Sequence, residues 1–416
     1  MDVCVTIDHR FARTPNGAMW TMTSFTYPFW NRYLTAFDHV RVVARVRDVP
    51  SAAANWTRCD GEGVSFAAIP YYHGPWQYLQ QMRRVQRAVR NAVGADDAVI
   101  LRVQGQISSC LRPWLRRTGR PYGVEVVGDP YDAFAPGYVT HPLRPFLRWW
   151  FPRRMREQVA GACAAAYVSE HALQRRYPPA PGAFSTHYSS IVLPDAALAS
   201  TARLPRAGQR SFTLITVGTM DNLSKGPDTL IDAVAACVRE GLDLRLVLVG
   251  GGKYRQELEN WVSTLGLDGR ARFLGWLPAG EAVRDQLDQA DLFVLPSRQE
   301  GVSRATIEAM ARSLPCIATT IGGTSELLPP EDRVPPGDVP ALAQRIRQVV
   351  TNPERMARMS ARNLEKAKEY REKALRERWT AFYRHVRERT EAWRGAANDG
   401  RLGRVKLECA GEGNRE

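Results

Sequence analysis

Between residues 212 and 319 the chain alternates short β-prone runs with helix-length segments, and no other feature restricts its fold so tightly. The runs are 212–217, 244–249, 272–274, 292–295 and 316–319. Strands separated by helices return to their sheet in the same direction, so this half is expected to form a doubly wound parallel sheet. Ligands of such sheets bind beyond the carboxyl ends of the strands, which directs attention to the loops after 217 and 295.

The first half shows a similar order, less sharply. Short apolar runs at 3–7, 40–46, 99–101 and 123–128 read as parallel strands, with a polar loop at 8–17. Leu79, Met82, Val85, Val89 and Val93 recur at helical spacing, with arginines between them, and predict an amphipathic helix over 78–93. An aperiodic stretch rich in Ala, Pro, Arg and Gly at 195–209 reads as a linker. With 416 residues there is material for two cores. The expected units are a first α/β domain over 1–195, a second over 210–352, helices over 353–394 packing back on the first domain, and a disordered tail over 395–416.

Composition removes several classes. Hydrophobic and charged shares of 44% and 24% are those of a folded globular protein. No run of about 18 apolar residues suggests a membrane span. The acid-led start lacks the basic region of a signal peptide, so a cytoplasmic chain is expected. The seven cysteines lack ligand spacing and read as buried thiols. His9, His73, His141 and His171 are isolated and are read as structural. A net charge of +14 invites a nucleic-acid partner. Only six of the 57 basic residues are lysines, however, so arginine usage itself inflates the figure. No nucleic-acid-binding signature accompanies the charge.

The chemistry concentrates after two strands. The run 292–295 leads into a loop carrying Glu300 and Gly301, then a helix carrying Glu308. Gly301 permits close backbone approach, and the amides of Val302 and Ser303 at the helix start offer partial positive charge to an anion. Glu308 can accept bidentate hydrogen bonds from a ribose diol. The run 212–217 leads into Gly218, Thr219 and then Lys225, a phosphate-binding candidate facing the same edge.

EGVSRATIEAMARSLPCIATTIGGTSELL and VGTMDNLSKGPDTLIDAV resemble the donor-site signatures of the family 4, or group 1, retaining glycosyltransferases of GT-B fold. LVLVGGGKYRQELE, VPPGDVPALAQRI and the late helix are similar in kind. VEVVGDPYDAF, AYVSEHALQRRYP and the Gly17 loop carry a weaker likeness in the first half.

The resemblance implies two Rossmann-like domains around a cleft, an acceptor-binding one over 1–195 and a donor-binding one over 210–352. It implies a nucleotide-diphosphate sugar as donor substrate, a carbohydrate or lipid-linked acceptor, and no separate cofactor or metal. By position, Glu308 would hold the donor ribose, Glu300 would lie beside the donor sugar, and Lys225 would bind the diphosphate. Thr219 stands where the family commonly has an arginine, and Arg304 is the candidate replacement. Asp129 stands beside the position of the family's strand-end histidine, and catalytic proximity and turn formation are equal readings for it. Gly17 is a candidate acceptor-side loop residue. Polysaccharide, lipopolysaccharide or glycolipid biosynthesis is the expected setting. A GT-B nucleotide-sugar epimerase and a basic nucleic-acid-binding protein are the rival readings.

One segment falls outside this scheme. LRPFLRWWFPRRM, at 143–155, mixes aromatics with arginines. It suits peripheral contact with an anionic membrane at the inner face of the cytoplasmic membrane, or a helix with its tryptophans packed into the first core.

Overall fold

The computed structural model describes residues 1–103, 105–134, 142–206 and 208–398. Two sheets organise them, one built from residues up to His187 and one from Ser211 onward.

The second sheet has six parallel strands in the order Ala271–Gly275, Asp243–Val249, Ser211–Val217, Leu292–Leu295, Cys316–Thr319, Arg333–Val334. This is the doubly wound order of a Rossmann sheet, and the order reverses between Ser211–Val217 and Leu292–Leu295. Both strands are largely buried, as continuous apolar runs require when helices cover both faces.

The first sheet repeats the scheme. Its parallel strands run Val64–Ile69, Val40–Asp48, Val3–Arg13, Ala98–Val103, Gly123–Val126, Ala164–Tyr167, Phe184–His187. Met19–Thr21 and Thr57–Arg58 add an antiparallel extension beside the first strand. The polar loop expected at 8–17 is therefore strand as far as Arg13. After a register shift between Thr6 and Arg10, the strand continues against Val40–Asp48, with Phe11 buried and Arg13 paired to Asp48 at 2.7 Å.

The helices over 353–394 do not all pack back on the first domain as expected but divide between the two sheets. Helix Pro353–Ala367, capped by the Asn352 side chain, places Met356 and Met359 in the second core. Helix Glu372–Asn398 returns to the first core with Leu375, Trp379, Phe382, Tyr383 and Val386. The chain thus crosses between the sheets twice, and the crossings are tied together. Leu193 donates to the Tyr370 carbonyl at 3.1 Å, and its own carbonyl accepts from Glu372 at 3.1 Å. The expected tail begins later than residue 395, since helix persists to Asn398; residues 399–416, with Cys409, lie outside the described residues. So does His141.

The returning helix is fixed by a buried polar cluster. Glu125, on Gly123–Val126, accepts from Tyr33 at 2.8 Å, Tyr188 at 2.7 Å and Tyr383 at 3.3 Å, and pairs with Arg32 and Arg102. Burial alone would raise the Glu125 carboxyl, but the Arg102 and Arg32 guanidiniums hold it below the ordinary range.

Candidate functional site at the switch point of the second sheet

The two loops singled out by sequence leave adjacent strands on either side of the point where strand order reverses. Residues 218–226 follow Ser211–Val217, and residues 296–303 follow Leu292–Leu295. A crevice opens between such loops because their helices depart to opposite faces of the sheet.

Lys225 and Glu300 meet across it. The ammonium lies 2.6 Å from the Glu300 carboxylate, which also accepts from Ser297 at 2.8 Å. Glu300 is buried and Lys225 partly exposed, so the pair presents its cation to the opening.

Arg298 fixes the spacing of the loops. Its guanidinium forms a bidentate pair with Asp228, at 2.9 and 2.6 Å, and donates to the Leu223 carbonyl at 2.6 Å. Its backbone N–H donates to the Ser224 carbonyl at 2.7 Å. Gly226 allows the close approach, for a Cβ there would stand 2.2 Å from the Pro296 carbonyl oxygen. On the other side, a Cβ on Gly322 would stand 2.0 Å from the Glu300 carbonyl oxygen, so the GGTSELL turn presses directly on the loop.

Helix Arg304–Ala311 starts from this loop. Ser303 caps it, its hydroxyl accepting from the Thr306 N–H at 3.2 Å, and Val302 lies just before the cap. Glu308 lies one turn farther along. Burial pushes its carboxyl above the ordinary range, while Arg304 and Arg284 pull it down. Arg304 is exposed and donates to Ser24 of the first sheet's half at 2.9 Å. Gly218 backs onto the Lys225 stem, and the Thr219 hydroxyl donates to Asp221 at 3.1 Å.

The structure thus brings together Gly218, Thr219, Lys225, Glu300, Gly301, Val302, Ser303, Arg304 and Glu308 on one pair of loops and the following helix. Asp129 and Gly17 lie in the other half. Asp129 is buried and caps the short helix Pro130–Ala133, accepting from Tyr131 N–H at 2.9 Å and the Tyr177 hydroxyl at 2.5 Å while pairing with Arg176. These contacts describe the turn-forming reading of Asp129 rather than a carboxylate beside a sugar. Gly17 occupies the exposed turn between Val3–Arg13 and Met19–Thr21, at φ +82°, with nothing within 4 Å of its Cβ position.

Two further positioning residues escaped the sequence reading. Arg298 is one arginine among many in the linear chain, and its pairing with Asp228 closes only in three dimensions. Glu326, within GGTSELL, reaches the other half. Its carboxylate accepts from the backbone N–H groups of Glu170, His171 and Ala172 at 2.6, 3.0 and 2.8 Å. Both partners lie in segments that carried the resemblance, yet nothing in either sequence announces the contact.

Comparison with known proteins agrees with this architecture. Residues 211–352 match the family described as Glycosyl transferases group 1. Staphylococcus aureus Protein CapJ is 26% identical over 359 residues, 84% of this chain and 89% of that protein. The 2-deoxystreptamine glucosyltransferase of Streptomyces kanamyceticus is 28% identical over 62% of this chain and 69% of its own length. Among solved structures, sucrose-phosphate synthase from Thermosynechococcus elongatus superposes with TM-score 0.68 at 17% identity, covering 93% of this chain and 99% of that one. Anabaena HepE, in complex with UDP and glucose, gives 0.61 at 16% identity over 91% and 98%. The GT-B fold thus runs through nearly the whole chain, and residues 211–352 match the group 1 glycosyltransferase family.

Proposed function

We propose that the protein transfers a glycosyl group from a nucleoside diphosphate sugar to an acceptor hydroxyl, with retention at the anomeric carbon and without metal. The Lys225–Glu300 pair at the switch point, beside a helix N-terminus and the half-buried Glu308, carries this reading. The Lys225 ammonium and the amides of Val302 and Ser303 are suited to a diphosphate, and Glu308 to the ribose diol. Glu300 then lies beside the donor sugar. Arg304, at the rim, supplies the second cation that Thr219 does not.

In this mechanism the acceptor oxygen attacks C1 from the face that the phosphate leaves. The C1–O bond to phosphate breaks, and a phosphate oxygen takes the acceptor proton. Charge grows on the departing diphosphate, where Lys225 and the helix terminus stabilise it, each worth about 3 kcal/mol by analogy with single oxyanion donors. Asp129 keeps the strand-end loop in place and acts as a positioning residue.

The HepE complexes with UDP and the relatives' sugar acceptors make a nucleotide-sugar donor and a carbohydrate or glycolipid acceptor the natural pair to test. Calorimetry against UDP, GDP and ADP, repeated with Glu308→Ala, is the first experiment. One nucleotide should bind, and the variant should lose it while keeping its fold. Binding of none, or equal binding by the variant, defeats the reading. With a donor in hand, the anomeric coupling constant of the product tests retention, and EDTA should leave the rate unchanged. Turnover of donor without acceptor would favour the epimerase alternative.

A further inference from the structure

The first half carries a face that neither its core nor the cleft uses. Helices Gly74–Asn91, Gln106–Thr118 and Arg144–Ala160 lie in sequence along one side of the first sheet. Together they hold twelve arginines and one carboxylate, Glu157, in a chain whose net charge is +14. The excess is therefore local, and general arginine usage does not account for it. Glu157 is occupied by Arg112 at 2.9 Å. Arg83, Arg84, Arg87, Arg90, Arg116 and Arg117 are exposed and have no carboxylate partner among the described residues.

Large apolar side chains stand out of the same face. Trp76 is 78% exposed, Leu79 56%, Phe146 50% and Trp149 56%, with Trp150 beside them. The helical stripe predicted over 78–93 is thus only partly spent on the core: Val85 and Val89 are buried, while Leu79 points outward. The tryptophans of Arg144–Ala160 are likewise outside the core, with Arg153 and Arg154 over their rings. Between the helices runs a groove of about 410 Å³, lined by Arg90, Arg117 and Arg154 above Met82, Cys110 and Trp114, with no carboxylate in its wall.

We propose that this three-helix face docks on a bilayer carrying anionic phospholipids, with the exposed aromatics at the acyl boundary and the groove receiving a lipid phosphate. Arginines without carboxylates complement an anionic surface, and the bulky aromatics add apolar contact that a soluble polyanion would not reward. The face also borders the cleft. Arg148 donates from its Nε to the Tyr131 carbonyl at 3.2 Å and lies over the Tyr131 ring, next to the Asp129 cap. A bilayer on these helices lies near the rim where an acceptor enters.

Co-sedimentation of the full chain with vesicles tests the proposal. Neutral phosphatidylcholine vesicles should leave the protein in solution, and vesicles with about a third phosphatidylglycerol should pellet it, less so as salt rises. Arg90→Glu with Arg117→Glu should lower binding at least about tenfold, and Trp149→Ala with Trp150→Ala should lower it while circular dichroism stays unchanged. Equal pelleting with neutral vesicles, a folded arginine variant that binds like wild type, or retention of a DNA duplex at a salt where vesicles are ignored would overturn it.

Discussion

The Lys225 ammonium lies 2.6 Å from the Glu300 carboxylate, and the two come from loops on opposite sides of the strand-order reversal. The cation is neutralised here by the residue that would face the sugar. A bound diphosphate therefore shares or replaces a carboxylate at Lys225, which separates the expected effects of changing either partner.

Lys225→Ala should weaken nucleoside diphosphate binding and lower kcat about 100-fold or more. Glu300→Gln should leave diphosphate affinity unchanged or improved, because Lys225 is released, yet still depress transfer. Calorimetry with the bare nucleotide alongside steady-state rates distinguishes the two. Equal loss of affinity in both variants would contradict the assignment.

Glu308 should trade stability for binding. Burial raises its carboxyl, so the ionised form is disfavoured in the folded state. Stability is then fuller below the unfolded carboxyl's titration and is lost as pH rises through the raised folded value. Glu308→Gln should melt no lower than wild type near pH 7, with any advantage fading in acid, while donor affinity falls at least about tenfold. Thermal shift at several pH values, with and without nucleotide, checks both.

Glu125 behaves in the opposite sense. Its carboxyl is held low by Arg102 and Arg32, so the stability it contributes is present above the ordinary carboxylate range and is lost as pH falls through the depressed value. Glu125→Ala leaves two buried guanidiniums uncompensated and should cost about 4 kcal/mol. Denaturant unfolding should show it, as a loss far larger than Arg83→Ala produces on the surface.

Glu326→Ala removes the acceptor for three backbone N–H groups of the opposite half. The cost should be about 2 kcal/mol, read as roughly thirtyfold faster amide exchange at 170–172. Each sheet's own core should keep its protection.

The second half was legible because its central strands, Ser211–Val217, Leu292–Leu295 and Cys316–Thr319, are largely buried and read as apolar runs. Leu292–Leu295 and Cys316–Thr319 fall where the sequence puts them, the other three expected runs within one residue at either end, and Arg333–Val334 was not foreseen. The first half was less so. Val3–Arg13 alternates polar residues after its register shift, Thr57–Arg58 is too short to show a period, and Ala164–Tyr167 and Phe184–His187 offer only four residues each. The donor-side residues could be named because they cluster in continuous segments. Arg298 with Asp228, Glu326 with residues 170–172, and Glu125 with its tyrosines could not, since each pairing joins segments whose spacing is set only by the folded chain.

The return of helix Glu372–Asn398 to the first sheet has a consequence for how the protein is made. Tyr383, Phe382 and Val386 cover apolar surface that the first 190 or so residues expose on their own, and Gly123 is shaped to receive them, since a Cβ there would stand 2.6 Å from Val386. On the ribosome, the first sheet's half waits for a segment that emerges only after every strand of the second sheet. Cutting the gene at the linker therefore yields an opening fragment with an uncovered greasy flank, whereas a fragment fused directly to 372–398 regains its lid.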